Sequence, residues 1–156
     1  MRYEIHLYVP KTGHLTPRMM EWLFQYGQTE EIPESHWPVR RLKPRALARL
    51  LLTLDPTLIA SPARGQDVEL RFPMPQVDIS LYIHDRGVII FFPYTADTLL
   101  RVVLGIVYTY IRYLHDAAGF WSYDPQLNIL SYADDFQSID ETAALMESLL
   151  PKMIES

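Results

Sequence analysis

The chain has 156 residues, no cysteine and a formal net charge of −5, with 49% apolar and 21% charged residues. That size and balance describe one globular domain with one ordinary core, spanning residues 1–156. They exclude a disordered chain, disulfides, thiolate nucleophiles and zinc–thiolate sites, and the acidic total argues against nucleic-acid binding through phosphate contacts.

The charge is unevenly spread. Residues 1–50 hold eight Lys/Arg against five Asp/Glu, and residues 51–156 hold six against fourteen. Such polarity can orient a partner and speed encounter. The most apolar run, Val102 to Ile111, is about half the length of a bilayer span and is bracketed by Arg101 and Arg112. Met1 to His6 lacks the apolar stretch of a signal peptide. The expectation is a cytoplasmic protein with no membrane association.

In chain order, Arg2 to Val9 alternates, with Tyr3, Ile5, Leu7 and Val9 on one face, and Pro10 ends the predicted strand. Thr16-Pro17 supplies an N-cap with proline at the first helical position. The helix stripe is Met19, Met20, Leu23 and Phe24, and Gly27 stops it. Gln28 to Lys43 has no period and holds Pro33 and Pro38 around Trp37, so it reads as a loop. A short helix follows from Arg45 to Leu54, started by Pro44 and stopped by Asp55-Pro56. Ser61 to Gln66 reads as a surface connection.

The period then returns to two. Val68, Leu70 and Phe72 alternate with charged residues, and Val77, Ile79, Leu81 and Ile83 alternate after Pro73 and Pro75. Asp85-Arg86-Gly87 turns the chain into Val88-Ile89-Ile90-Phe91-Phe92, which is apolar on both faces and predicts a strand buried between layers. Thr95 to Ala118 predicts one long helix, with Thr95 as N-cap, Asp97 in the first turn and Gly119 as the stop. Phe120 to Tyr123 and Asn128 to Tyr132 read as short strands. Ser138 and Glu141 have capping-box spacing for a last helix over Ile139 to Met153. The element order favours an α+β fold: a mostly antiparallel sheet with helices packed on one face and one long central apolar helix.

The chemistry is mostly exclusion. His6, His14, His36, His84 and His115 form no H-E-x-x-H or i, i+4 pair, although His6 and His84 lie in predicted strands and can face each other across the sheet. The serines offer no G-x-S-x-G elbow, and the six glycines are isolated, so no phosphate loop is present. Asp134-Asp135 reads as a solvated turn before a helix. No catalytic residue, metal or cofactor is expected.

Two features point to recognition. Arg40, Arg41, Lys43, Arg45 and Arg49 cluster about the start of the short helix, where the dipole disfavours cations, so an acidic partner would offset the cost. Trp37 lies beside them. In Gly119 to Gln126, Trp121 and Tyr123 share one strand face, Asp124-Pro125 makes a turn, and Gln126 can donate and accept together. The alternative reading is structural: aromatics buried against the long helix, and a solvated basic face.

The run Arg45 to Leu51, then Asp55-Pro56, a strand meander, an apolar helix and Tyr123-Asp124-Pro125-Gln126, resembles a group of small bacterial proteins with a late Y-D-P-Q turn. Some of these are similar to immunity proteins of polymorphic toxin systems, which bind and block a toxin. The resemblance implies no catalytic residues. The sequence therefore favours a non-catalytic, protein-binding module acting by occlusion. Its expected partner surface is Trp37, Arg40, Arg41, Lys43 and Arg45, then Trp121, Tyr123, Asp124 and Gln126. The alternatives are a small-molecule-binding protein or small enzyme with a tyrosine-rich pocket under the long helix, and a structural subunit of a homo-oligomer.

Overall fold

The computed structural model describes residues 2–29, 31–93, 99–126 and 128–131. They form one seven-stranded antiparallel sheet and three α-helices, an α+β fold. The strands are β1 (Arg2–Tyr8), β2 (Ile59–Pro62), β3 (Val68–Arg71), β4 (Ser80–Ile83), β5 (Val88–Pro93), β6 (Trp121–Asp124) and β7 (Ile129–Ser131), in the spatial order β2-β3-β4-β5-β1-β6-β7. The helices are α1 (Pro17–Tyr26), α2 (Pro44–Leu54) and α3 (Leu99–Ala118).

β1 is the hub. It pairs with β5 on one side (Ile5 opposite Ile90) and with β6 on the other (His6 opposite Tyr123). Because strand side chains alternate, its two faces enter different layers. Tyr3, Ile5 and Leu7 join the main core with Leu81, Ile90 and Phe92 from neighbouring strands, Leu47 and Leu51 from α2, and Val103, Leu104, Val107 and Leu114 from α3. The expected layer of helices on one face is thus α2 and α3. They are tied together where Tyr110 donates to Asp55 Oδ2 at 2.6 Å, at the C-terminal end of α2. The opposite face carries His6 and Tyr8, and α1 lies over it. Met20 and Leu23 pack there with Tyr8, Leu15, Trp37 and Val39.

Thr16 caps α1 as its sequence demands, its hydroxyl accepting from Met19 N–H at 3.2 Å. Gly119 ends α3 with φ of +76°, a left-handed conformation that glycine adopts without a Cβ penalty. Thr95, Asp97, Asp134-Asp135 and the helix predicted over Ile139 to Met153 lie outside the described residues.

Three details differ from the expected pattern. Ile59–Pro62, read partly as a connection, is a strand paired with β3. It is an edge strand with three of four residues exposed, so it lacks the apolar alternation that marks a strand in sequence. Val77 and Ile79 are buried as the alternation requires, but β4 begins only at Ser80, because Asp78 turns the backbone with φ of +47°. β5 is fully buried on one face only: Val88, Ile90 and Phe92 are core, whereas Ile89 and Phe91 are half-buried. The Arg2 guanidinium covers Phe91, 5.0 Å from its ring centroid.

α3 buries a single stripe, and Val102 on its other side is 51% exposed. Removing buried methyl groups forfeits transfer energy and leaves a cavity. Leu104→Ala should therefore cost about 2–5 kcal/mol, and Val102→Ser no more than about 0.5 kcal/mol. Urea titration of both variants checks this; equal costs would mean that α3 buries a different face.

Candidate binding cleft between the first helix and the sheet

The face of the sheet under α1 is polar at its centre, which is unusual for a covered face. His6 is buried on β1, and Tyr8 follows it two residues later on the same side. His84 stands just after β4, with Ile89 of β5 opposite His6 in the ladder. These side chains line an open cleft of about 170 Å³, bordered by Leu23, Phe24, Gly27 and Gln28 from the end of α1 and by Trp37 and Arg86. A wider basin of about 500 Å³ adjoins it, sharing Gly27, Gln28, Trp37, His84 and Arg86 and adding Thr29, Ile32, Glu34, Arg41 and Asp85.

Arg86 organises the rim. It is buried, and its guanidinium carbon lies over Trp37, 4.0 Å from the ring centroid. Nη1 donates to Glu34 Oε1 at 2.9 Å and Nη2 donates to Oε2, a two-pronged carboxylate clamp. Lys11 adds a hydrogen bond to the Glu34 carbonyl at 2.6 Å and sits 3.4 Å from its carboxylate. Trp37 in turn meets Trp22 of α1 edge-on at 5.1 Å. The loop that sequence reading left shapeless is therefore held at its 3-10 turn, Glu34–His36, against the β4–β5 hairpin. The Leu42 N–H, which donates to the Asp85 carbonyl at 2.6 Å, holds it further along.

The imidazoles have assignable roles. His6 Nε2 faces Glu4 Oε1 at 3.1 Å, so in the neutral ring Nε2 carries the proton and Nδ1 accepts from the Tyr8 hydroxyl at 3.4 Å. Glu4, His6 and Tyr8 thus form a chain along one strand face. It does not activate the phenol: burial, then the Glu4 charge, push Tyr8 up to about 12, so its hydroxyl stays protonated and serves as a donor. His84 Nδ1 accepts the Arg86 N–H at 3.3 Å, and burial holds its pKa below the usual histidine range against the opposing pull of Asp67 and Asp85. The ring is neutral, with its proton on Nε2.

The residues singled out in the sequence fall into three places. Trp37 is a buried wall of the cleft. Arg40, Arg41, Lys43 and Arg45 are all exposed along the adjoining segment into α2, and Arg41 pairs with Asp85 at 3.6 Å where it borders the basin. The aromatic turn lies apart from them, across β1. Trp121 and Tyr123 are half-buried under α1, and Tyr123 borders a separate depression with Met20, Phe24 and Leu130.

Asp124 and Gln126 hold the turn to the sheet. The Gln126 amide donates to the Glu4 carbonyl at 2.8 Å and accepts the Glu4 N–H at 3.1 Å. Asp124 Oδ1 accepts the Gln126 N–H at 2.9 Å, and Oδ2 accepts the Tyr3 hydroxyl. The turn thereby extends the pairing of β1 and β6. Among the described residues no group of three or more His, Asp or Glu side chains is placed to hold a metal ion. His6 and His84, expected in strands that can face each other, both border the cleft, although His84 lies just past the end of β4. Arg86 and Glu34 left no signal in the sequence, because their partnership spans 52 positions.

Two pH responses follow. Glu34 is held down at about 2 from an ordinary 4.5, chiefly by the Arg86 hydrogen bonds. Its folded pKa lies below its unfolded one, so its contribution to stability is complete above pH 4.5 and is lost as pH falls towards 2. Thermal unfolding scanned from pH 6 to about 2.5 should show that loss, and Glu34→Gln should lower the Tm at neutral pH and flatten the slope. His84 is shifted the same way from 6.5, so its contribution is present above 6.5 and fades as the pH drops below it. His84→Gln, which keeps an acceptor for the Arg86 N–H, should remove the part of the pH dependence that begins near 6.5. An unchanged profile would mean that the ring is not buried neutral.

No protein-family model matches the chain and no curated protein matches it in sequence, so the roles assigned to these residues rest on their geometry alone.

Proposed function

We propose that the protein is a non-catalytic binding module for an acidic protein partner, acting by occluding the surface it covers, in the manner of an immunity protein. One observation carries this reading. Arg40, Lys43 and Arg45 are exposed side by side and make no ion pair among the described residues. Lys43 occupies the N-cap position of α2 and Arg45 its first turn, with no acidic residue there to offset the helix dipole. This placement costs stability in the isolated protein and is relieved when carboxylates of a partner arrive. The ridge borders the basin lined by Ile32, Trp37 and Arg41, so charge that steers encounter lies beside a concave surface that can retain the partner. Trp121 and Tyr123, half-buried under α1, form a lesser part of the same reading.

The test is affinity capture from the native host's lysate at low and high salt, with Arg40→Glu/Lys43→Glu/Arg45→Glu in parallel. All three residues are surface positions, so the variant should retain the wild-type circular dichroism spectrum, with a Tm no lower than the wild type's because carboxylates suit the N-terminal end of α2. A stoichiometric partner should come down with the wild type and be released by salt. The triple reversal should lower its affinity by at least about tenfold, since like charges across an interface cost several kcal/mol. Capture that ignores both salt and charge reversal would reject the reading.

A further inference from the structure

The cavity of about 170 Å³ beneath the C-terminal end of α1 has a chemistry distinct from the charged ridge. Its walls are the apolar faces of Leu23, Phe24, Trp37 and Ile89, and its polar groups are the imidazoles of His6 and His84 and the Tyr8 hydroxyl, with Arg86 at the rim. The lining carries little uncompensated charge. Arg86 is neutralised by Glu34 through both of its terminal nitrogens, and His84 accepts a backbone N–H at Nδ1 as a neutral ring does. An ion entering the cleft would give up part of its hydration without gaining a counter-charge.

What remains is a slot between aromatic and aliphatic walls with neutral hydrogen-bonding groups. Nε2–H of His84 is a donor. The Tyr8 hydroxyl, held by His6 Nδ1 only at 3.4 Å, can turn to donate or accept. An apolar cavity of roughly 150 Å³ accommodates a benzene ring. A single ring bearing one hydroxyl therefore matches this cavity in volume, in its walls and in its complement of donors and acceptors.

We propose that the cleft lined by His6, Tyr8, Leu23, Phe24, Trp37 and His84 is a binding site for a single-ring phenolic group, either a free small phenol or a tyrosine side chain of a bound peptide. The ring stacks against the Trp37 and Phe24 side, and its hydroxyl exchanges hydrogen bonds with Tyr8 and His84. The site is independent of the cationic ridge and goes beyond the reading drawn from it.

The probe is p-cresol, titrated into the full-length protein and followed by two-dimensional amide NMR and by thermal shift, with toluene as the analogue lacking the hydroxyl. The expected result is saturable shifts at Gly27, Gln28, His84 and Arg86. Cresol should bind at least about tenfold more tightly than toluene, because a site built to hydrogen-bond a hydroxyl rejects its isostere. Tyr8→Phe should shrink that ratio, and Ile89→Trp should block both probes by filling the cavity. Should Ile89→Trp fail to fold, intermolecular NOEs from cresol to the Leu23 methyls of the wild type locate the ring without a variant.

A peptide of sequence Glu-Glu-Tyr-Glu-Glu separates the two sources. If it binds more tightly than cresol, and salt or reversal of Arg40, Lys43 and Arg45 removes only that advantage, the phenol belongs to a protein chain. If it binds no better, the ligand is a free phenol. Absence of saturable shifts with cresol, or equal binding of cresol and toluene, overturns the proposal. Either result leaves the salt-sensitive capture experiment unaffected.

Discussion

The shape of the cleft and of the basic segment beside it depends on the need of one buried cation for company. Arg86 is placed by the β4–β5 turn where the residue is only 8% exposed. An unpaired charge at such depth would be costly, so the chain must bring a carboxylate to it. Glu34 answers that need with both oxygens, and Trp37 covers the face of the guanidinium. Meeting this demand pins an otherwise irregular loop to the sheet. Several consequences follow in order: Trp37 becomes a wall, Val39 pairs with Pro10, Leu42 bonds to Asp85, and the chain enters α2 with Arg40, Lys43 and Arg45 facing outward. A cation satisfied inside thus determines where the unsatisfied ones are displayed.

β1 supplies the second constraint. A strand in the middle of a sheet with helices on both sides would ordinarily be apolar on both faces. β1 is apolar only towards α2 and α3; towards α1 it presents Glu4, His6 and Tyr8. Each has a partner in the folded state: Glu4 and Tyr8 flank His6, and the backbone of Glu4 is engaged by Gln126. This polar face leaves α1 unable to seal the sheet as an apolar layer would. Its apolar residues Met20 and Leu23 pack to one side with Trp37, Tyr8 and Leu15, and the cavity opens where His6 and His84 lie.

Much of the fold was legible in the sequence because local patterns carry it. The alternation in Arg2 to Val9 and the helix from Arg45 to Leu54 between Pro44 and Asp55-Pro56 needed no knowledge of partners, and neither did the Thr16-Pro17 cap or Gly119. β2 was missed because an edge strand lacks a buried face to imprint alternation on Ile59–Pro62. The site was less legible for a related reason. The basic ridge is contiguous in sequence and could be named residue by residue. The clamp joins positions 52 apart, and Gln126 reaches 122 positions back to Glu4, so neither leaves a local pattern. Asp124-Pro125-Gln126 stood out because its side chains are specific. Their specificity lies in closing the sheet, where each polar atom is committed to β1 or to the turn itself.

In the proposed reading, ridge and cleft divide the work of recognition along lines set by solvent. Charges at Arg40, Lys43 and Arg45 are exposed and therefore screened within about a Debye length, roughly 8 Å at physiological salt. Such groups govern how fast a partner arrives and from which side, more than how long it stays. Residence needs desolvated contact, and the cleft bordered by Trp37 and Phe24 is a place where a ring can leave water. Because Glu34 neutralises Arg86 and burial keeps His84 neutral, the cleft neither repels nor attracts an ion strongly. It can therefore discriminate by shape and by a single hydroxyl. A partner that satisfies both surfaces must present carboxylates beside a phenolic ring. A molecule that satisfies only the cleft must be small and uncharged. The geometry of one short loop, held by one buried arginine, sets both requirements.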